Sequence, residues 1–267
     1  MMTANSFDQS PPGEPPGAAP PYSRAEDWRR ARLLEGLGIW AISFAVLLLA
    51  RYAIGPFVPF VAENLKAVAV IVFLYVPGWL IWKRGEDLAD YGLTFRRWRR
   101  DLALGLGLAA IVFPLFALGF YGFVSILDHL PGGLAGWISP YRAGFDPAFR
   151  LPDGLLYMLL VHILVVALPE EFFYRGWLYS RLSEGLDEAG RGRRRLGVVI
   201  GPAFWITAIL FAVGHLTEPY AWRLGVFFPA LLFAWLRLRT GGLIAPIVFH
   251  GLSNVFVAIL EASFFSG

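Results

Sequence analysis

Leu102–Leu127 reads LALGLGLAAIVFPLFALGFYGFVSIL, an unbroken apolar run with no charged side chain. A hydrocarbon layer roughly 30 Å thick is crossed by about 20 helical residues at 1.5 Å rise each. The run therefore predicts a membrane-spanning helix. Working outward, comparable stretches occur at Leu33–Ile54 and Leu65–Trp82 before it, and at Gly154–Leu182, Leu196–Leu216, Trp222–Leu238 and Gly241–Phe264 after it. The first three and the fifth are clean, the sixth is short and contains Pro229, and the fourth carries charges. The expected fold is all-α, a polytopic transmembrane helical bundle of about seven spans, with six to eight admitted by the ambiguous boundaries.

Composition agrees. Of 267 residues, 57% are apolar and only 16% charged, against about 25% charged in soluble domains. The mean hydropathy is +0.58. With no cysteine, disulfides, thiolate metal sites and a cysteine nucleophile are excluded. The net charge of +3 does not point to nucleic acid, because the basic residues lie between apolar runs, where membrane orientation accounts for them.

Three regions follow. Residues 1–31, with Pro11, Pro12, Pro15, Pro16, Pro20 and Pro21, read as a disordered tail that cannot bury enough apolar surface to offset its ordering entropy. Residues 32–153 hold three spans and a Gly-, Pro- and aromatic-rich segment, Asp128–Asp153, expected to be either an interfacial cap or a loop. Residues 154–267 hold the remaining spans. With seven spans, seventeen of the 23 Lys and Arg residues fall on the side of the tail and five on the other, while Arg175 lies inside a span. That asymmetry places the N-terminus in the cytoplasm.

Ionisable groups inside a span are costly and by default mark function. Span four contains Pro169-Glu170-Glu171-Phe172-Phe173-Tyr174-Arg175. Glu171 and Arg175 are four apart with the acid first, the favourable order for a helical ion pair. Glu170 then points about 100° away without that partner, and an unpaired carboxylate in an apolar site suits a general base. A purely structural ion-paired lock between helices explains this motif as well. Span five ends Phe211-Ala212-Val213-Gly214-His215, and span seven carries His250-Gly251-Leu252-Ser253-Asn254, with His250 and Asn254 on one helical face. If the three spans pack together, Glu170 and His215 can deprotonate a water, while His250 and Asn254 donate to the oxyanion formed on a carbonyl. His162, roughly 80° round the helix from Glu170, reads as a helix-bridging residue. One difficulty is depth: Glu170 falls near the cytoplasmic side and His215 near the outer side. They meet only if span four starts later, kinks at Pro169, or runs on towards Asp187.

Glu170-Glu171-x-x-x-Arg175, Phe211-x-x-x-His215 and His250-x-x-x-Asn254 resemble, in order and chain position, the three motifs of the CPBP family, the CAAX-protease and bacteriocin-processing membrane proteins. The resemblance covers roughly Gly154 to Leu260. It implies glutamate-dependent intramembrane proteolysis, with Glu170 and His215 activating water, His250 and Asn254 stabilising the oxyanion, and Glu171 and Arg175 in support. It also implies no cofactor, and a protein or peptide substrate with a C-terminal membrane-associated segment, such as a prenylated tail or a myxosortase-type sorting signal. The arginine-rich, lysine-poor composition points to a bacterial plasma-membrane protein. Two other readings stand beside this one. A zinc protease would use His215, His250 and a glutamate, although the His-Glu-x-x-His helix is missing. A scaffold, immunity protein or transporter would use the same charges without proteolysis.

Overall fold

The computed structural model describes residues 22–127, 129–138, 148–186 and 192–265. Among the described residues six helices are long and apolar enough to cross a bilayer: α1 (Ala25–Ile54), α2 (Leu65–Arg84), α3 (Trp98–Leu127), α4 (Leu155–Leu186), α6 (Ala221–Thr240) and α7 (Ile244–Phe264). A shorter apolar helix, α5 (Pro202–Thr217), lies between α4 and α6. The chain is a multi-pass helical membrane bundle, as its apolar runs predict. Its outer face is the face lipid requires, with Ile42, Ile71, Ile111, Leu118 and Leu156 exposed on successive helices.

Three boundaries differ from expectation. The first helix begins at Tyr22, because beyond Pro21 the segment Ala25–Arg32 holds good helix formers and no proline. Residues 1–21 of the expected tail lie outside the described residues. Span five does not begin at Leu196. Arg193–Arg195 (β1) and Val198–Ile200 (β2) pair as an antiparallel hairpin, and α5 starts at Pro202 with proline in its first turn. Span four runs past Leu182 to Leu186, giving a helix of 32 residues and about 48 Å. In the Asp128–Asp153 segment, Gly132–Ile138 is a short helix, and the Ala148 N–H donates to the Ser263 carbonyl at 2.8 Å. Asp128 and residues 139–147 lie outside the described set.

Prolines shape two of the spans. Pro77 and Pro169 cannot donate to the preceding turn, and their rings crowd the carbonyl four residues back. In each case a wide, π-type turn comes just before, Ile71–Tyr75 in α2 and His162–Ala167 in α4. A second wide turn, Phe172–Leu178, follows the two glutamates. Side-chain directions along α4 therefore depart from the 100° step of a uniform helix.

The arginine-rich end of the bundle is held by an ion network. Arg181, fully buried near the end of α4, donates to Glu86 at 2.7 Å and Glu184 at 3.1 Å. It also donates to the Tyr91 hydroxyl. Burial, and then the hydrogen bond to Glu86, push the Tyr91 hydroxyl well above its ordinary pKa, which keeps it protonated. Arg32 and Glu35 of α1 join through Glu184 and Arg84.

At the centre, α4 and α7 touch backbone to backbone. A methyl group on Gly251 would stand 2.6 Å from Ile163 Cγ1 and 3.2 Å from Ile163 Cα. Gly251→Val is expected to cost about 1–3 kcal/mol through overpacking, read as a lower thermal midpoint of the purified protein in detergent. A neighbouring Ile163→Ala exchange removes the Cγ1 clash but not the Cα one, so it restores only part.

Candidate active site

Four helices meet around a small set of buried polar groups, and α4 supplies the carboxylates. One Glu171 oxygen accepts two hydrogen bonds, from Arg175 Nη1 at 3.0 Å and from His250 Nδ1 at 2.8 Å. The helical i, i+4 spacing makes the first bond, and the Gly251–Ile163 crossing brings α7 close enough for the second. All three side chains are buried. Arg175 also donates from Nη2 to the Ala230 carbonyl of α6 at 3.2 Å. Its guanidinium carbon lies 4.2 Å from the Phe211 ring centroid and 5.1 Å from that of Phe233. A planar, weakly hydrated cation is well suited to such a dry aromatic slot.

Glu170 is placed differently. Its Oε2 is buried without a hydrogen-bond partner among the described residues and stands 3.8 Å from His250 Nε2. That gap is too long for a direct hydrogen bond. The His250 ring is stacked on Phe233, with centroids 4.6 Å apart and planes 14° apart, and meets Phe211 edge-on at 5.9 Å. It is therefore fixed in plane as well as by its Nδ1 bond.

His215 lies where α5 tightens into its last turn. Its Nδ1 is 2.8 Å from the Phe211 carbonyl. A carbonyl only accepts, so Nδ1 carries the proton and the Nε2 lone pair is left to accept one. Phe211 joins the clusters, its ring 4.5 Å from that of His215. His250 and Arg223 each act electrostatically on both Glu170 and His215. Asn254 is half-buried one turn beyond His250 and has no hydrogen-bond partner among the described residues.

The longer α4 and shorter α5 reduce the depth difference expected between Glu170 and His215. With α4 reaching Leu186, Glu170 falls near the middle of the helix. With α5 starting at Pro202, His215 is only about 20 Å along it. Tyr174, one turn from Glu170, meets Phe211 edge-on at 5.0 Å. A Cβ on Gly214 would stand 2.6 Å from the Tyr174 hydroxyl oxygen. The turn bearing His215 thus packs on Tyr174, one turn from Glu170.

Sequence reasoning missed the contributions of α6, namely Phe233 and the Ala230 carbonyl. Apolar positions and backbone carbonyls carry no motif. It also left out Arg223 and Tyr174. His162 was expected to bridge helices, but its Nδ1 is buried without a partner among the described residues. Lys66 and His250 lie close enough to act on it electrostatically.

The motif residues lie in order on three helices, all within one continuous stretch. Residues 152–256 match the family model described as Type II CAAX prenyl endopeptidase Rce1-like. Over that stretch the chain is similar to this family of membrane proteases. No curated protein and no solved structure matches the chain. The matched stretch contains Glu170, Glu171, Arg175, His215, His250 and Asn254, and leaves α1–α3 outside it.

Removing one partner of the buried pair leaves the other uncompensated. Arg175→Met is expected to lose about 3–5 kcal/mol, measured as a fall in the denaturation midpoint, and Glu171→Leu in the same chain recovers part of it. The Gly214–Tyr174 contact gives a steric counterpart. Gly214→Ala lowers stability, and Tyr174→Phe, which removes the clashing oxygen, restores it in the double variant.

Proposed function

We propose that the chain is an intramembrane endopeptidase of glutamate type. It cleaves a membrane-associated protein near its C-terminal tail or sorting signal. The observation that supports this reading is the pairing of Glu170 with His250 at 3.8 Å beside Phe211, whose ring also meets His215, with Glu170 Oε2 and the His215 Nε2 lone pair left unengaged. Two unengaged bases in a dry site can hold and polarise one water.

In this reading Glu170 and His215 bind a water and take its proton as its oxygen attacks the scissile carbonyl carbon. The carbonyl π-electrons become an oxyanion, which accepts from His250 Nε2–H and the Asn254 amide. On collapse the C–N bond breaks and the proton passes to the leaving amine. Glu171 holds His250 through Nδ1, so Nε2 alone faces the reaction. The first three helices serve as the scaffold that supports α4 and α7. The N-terminus lies in the cytoplasm of a bacterial cell, on the arginine-rich side.

No metal enters this scheme. His250 Nδ1 is engaged by Glu171 and so is not offered as a ligand. Proteolysis by the purified protein should persist in a strong chelator; loss of activity that zinc restores would replace the glutamate mechanism with the zinc one.

Glu170→Gln keeps the side-chain volume and removes the base. It is expected to leave the protein folded in the membrane with proteolysis reduced at least about 10²-fold. Comparing membrane and secreted proteomes of cells carrying wild-type or Glu170→Ala protein identifies substrates as proteins that keep an uncut C-terminal segment only in the variant. Full biological function in Glu170→Gln would favour the scaffold or transporter reading.

A further inference from the structure

The β1–β2 hairpin joins two spans and takes no part in the site. Its first strand is Arg193-Arg194-Arg195, and all three residues are exposed. Successive residues of a strand face opposite ways, so both faces of β1 are open. Arg239 at the end of α6 adds a fourth cation, its Nη1 standing 3.0 Å from where a Cβ on Gly197 would be. None of these four arginines forms an ion pair with a described residue.

The turn between the strands is unusual in a different way. Leu196 has φ 49° and Gly197 has φ 79°, the pair of positive values that a two-residue type I′ turn demands. Asn-Gly is the favoured pair there, and leucine is strained in the left-handed region. The turn is held in place because the Trp235 indole N–H donates to the Leu196 carbonyl at 3.1 Å. Yet the Leu196 side chain packs on almost nothing, at 82% exposed, and Val199 beside it is 58% exposed. A strained, solvent-facing leucine between arginines gains nothing within the protein.

Connectivity fixes where the hairpin sits. Val198 to Gly201 spans at most about 14 Å of extended chain before α5 begins, so the hairpin lies at the bilayer boundary on the arginine-rich side. Exposed Val199 and Leu196 continue the exposed Trp205 and Ile209 of α5. Apolar tips that enter the acyl region beneath cations that reach phosphate are the composition of an interfacial anchor. An arginine fork also matches phosphate oxygens in pairs.

We propose that the Arg193–Ile200 hairpin is a binding element for acidic phospholipids. Leu196 and Val199 enter the hydrocarbon boundary, and Arg193, Arg194, Arg195 and Arg239 collect phosphodiester headgroups around them. The element anchors the junction of α4 and α5, and it stands whether or not the chain is a protease.

The absence of cysteine makes Val199→Cys a single-site probe. The full chain, labelled there with an environment-sensitive fluorophore, is placed in nanodiscs of phosphatidylcholine with or without phosphatidylglycerol. Lipid retention is read by native mass spectrometry on the unlabelled protein. The probe is expected to be shielded from water and quenched by headgroup-proximal nitroxide lipid, more so with phosphatidylglycerol. The triple Arg193→Gln, Arg194→Gln, Arg195→Gln variant is expected to retain phosphatidylglycerol roughly 100-fold more weakly. Leu196→Asn relaxes the turn, so it should be at least as heat-stable in detergent yet lose probe shielding. A probe open to water in both lipids, or equal phosphatidylglycerol retention by wild-type and triple variant, overturns the proposal.

Discussion

A guanidinium buried among apolar helices must be neutralised where it stands, and the bond from Arg175 to Glu171 is where this bundle does so. The same carboxylate oxygen holds His250, so the cost of burying charge is offset by a group that also aims an imidazole. Arg175 in turn bonds a backbone carbonyl of α6 and lies over two aromatic faces. Removing any member leaves a charge with no water to fall back on. The positions of α4, α6 and α7 relative to one another follow from satisfying these few atoms.

Much of this was legible in the chain. Apolar length gives the spans because a bilayer imposes it, and the i, i+4 spacing of Glu171 and Arg175 gives their bond because a helix imposes it. Six residues chosen on spacing and resemblance lie on the three helices that come together, although Asn254 makes no hydrogen bond to the described groups. What stayed hidden has physical causes. The start of α5 was misplaced because Leu196–Ile200 is as apolar as a helix, and only the Leu196-Gly197 turn and its pairing mark it as a hairpin. The depth of Glu170 depended on where α4 ends, and Arg181 reads as a boundary charge until its partners Glu86 and Tyr91 are seen. The Glu171–Arg175 pair and the unpartnered Glu170 follow the expected spacing, while the wide turns on either side of them follow no uniform period.

Close approach completes the picture. Gly251 and Gly214 stand at two of the places where α4 meets its partners. Without a side chain at Gly251 the α7 and α4 backbones come near enough for His250 to reach Glu171, and the gap at Gly214 admits the Tyr174 ring. In lipid, where burying apolar surface between helices gains little, such contacts and the hydrogen bonds they permit supply much of the association.

The brevity of α5 has an effect beyond the protein. Its 13-residue helical part and three-residue final turn measure about 25 Å, several Å less than the layer they adjoin. A hydrophobic mismatch of that kind draws the lipid surface inward beside the short element. His215 sits at the end of α5, with Glu218, Arg51 and Arg223 joined just past it. Polar groups at the floor of such a dimple stand nearer the aqueous phase than a full-length helix would leave them.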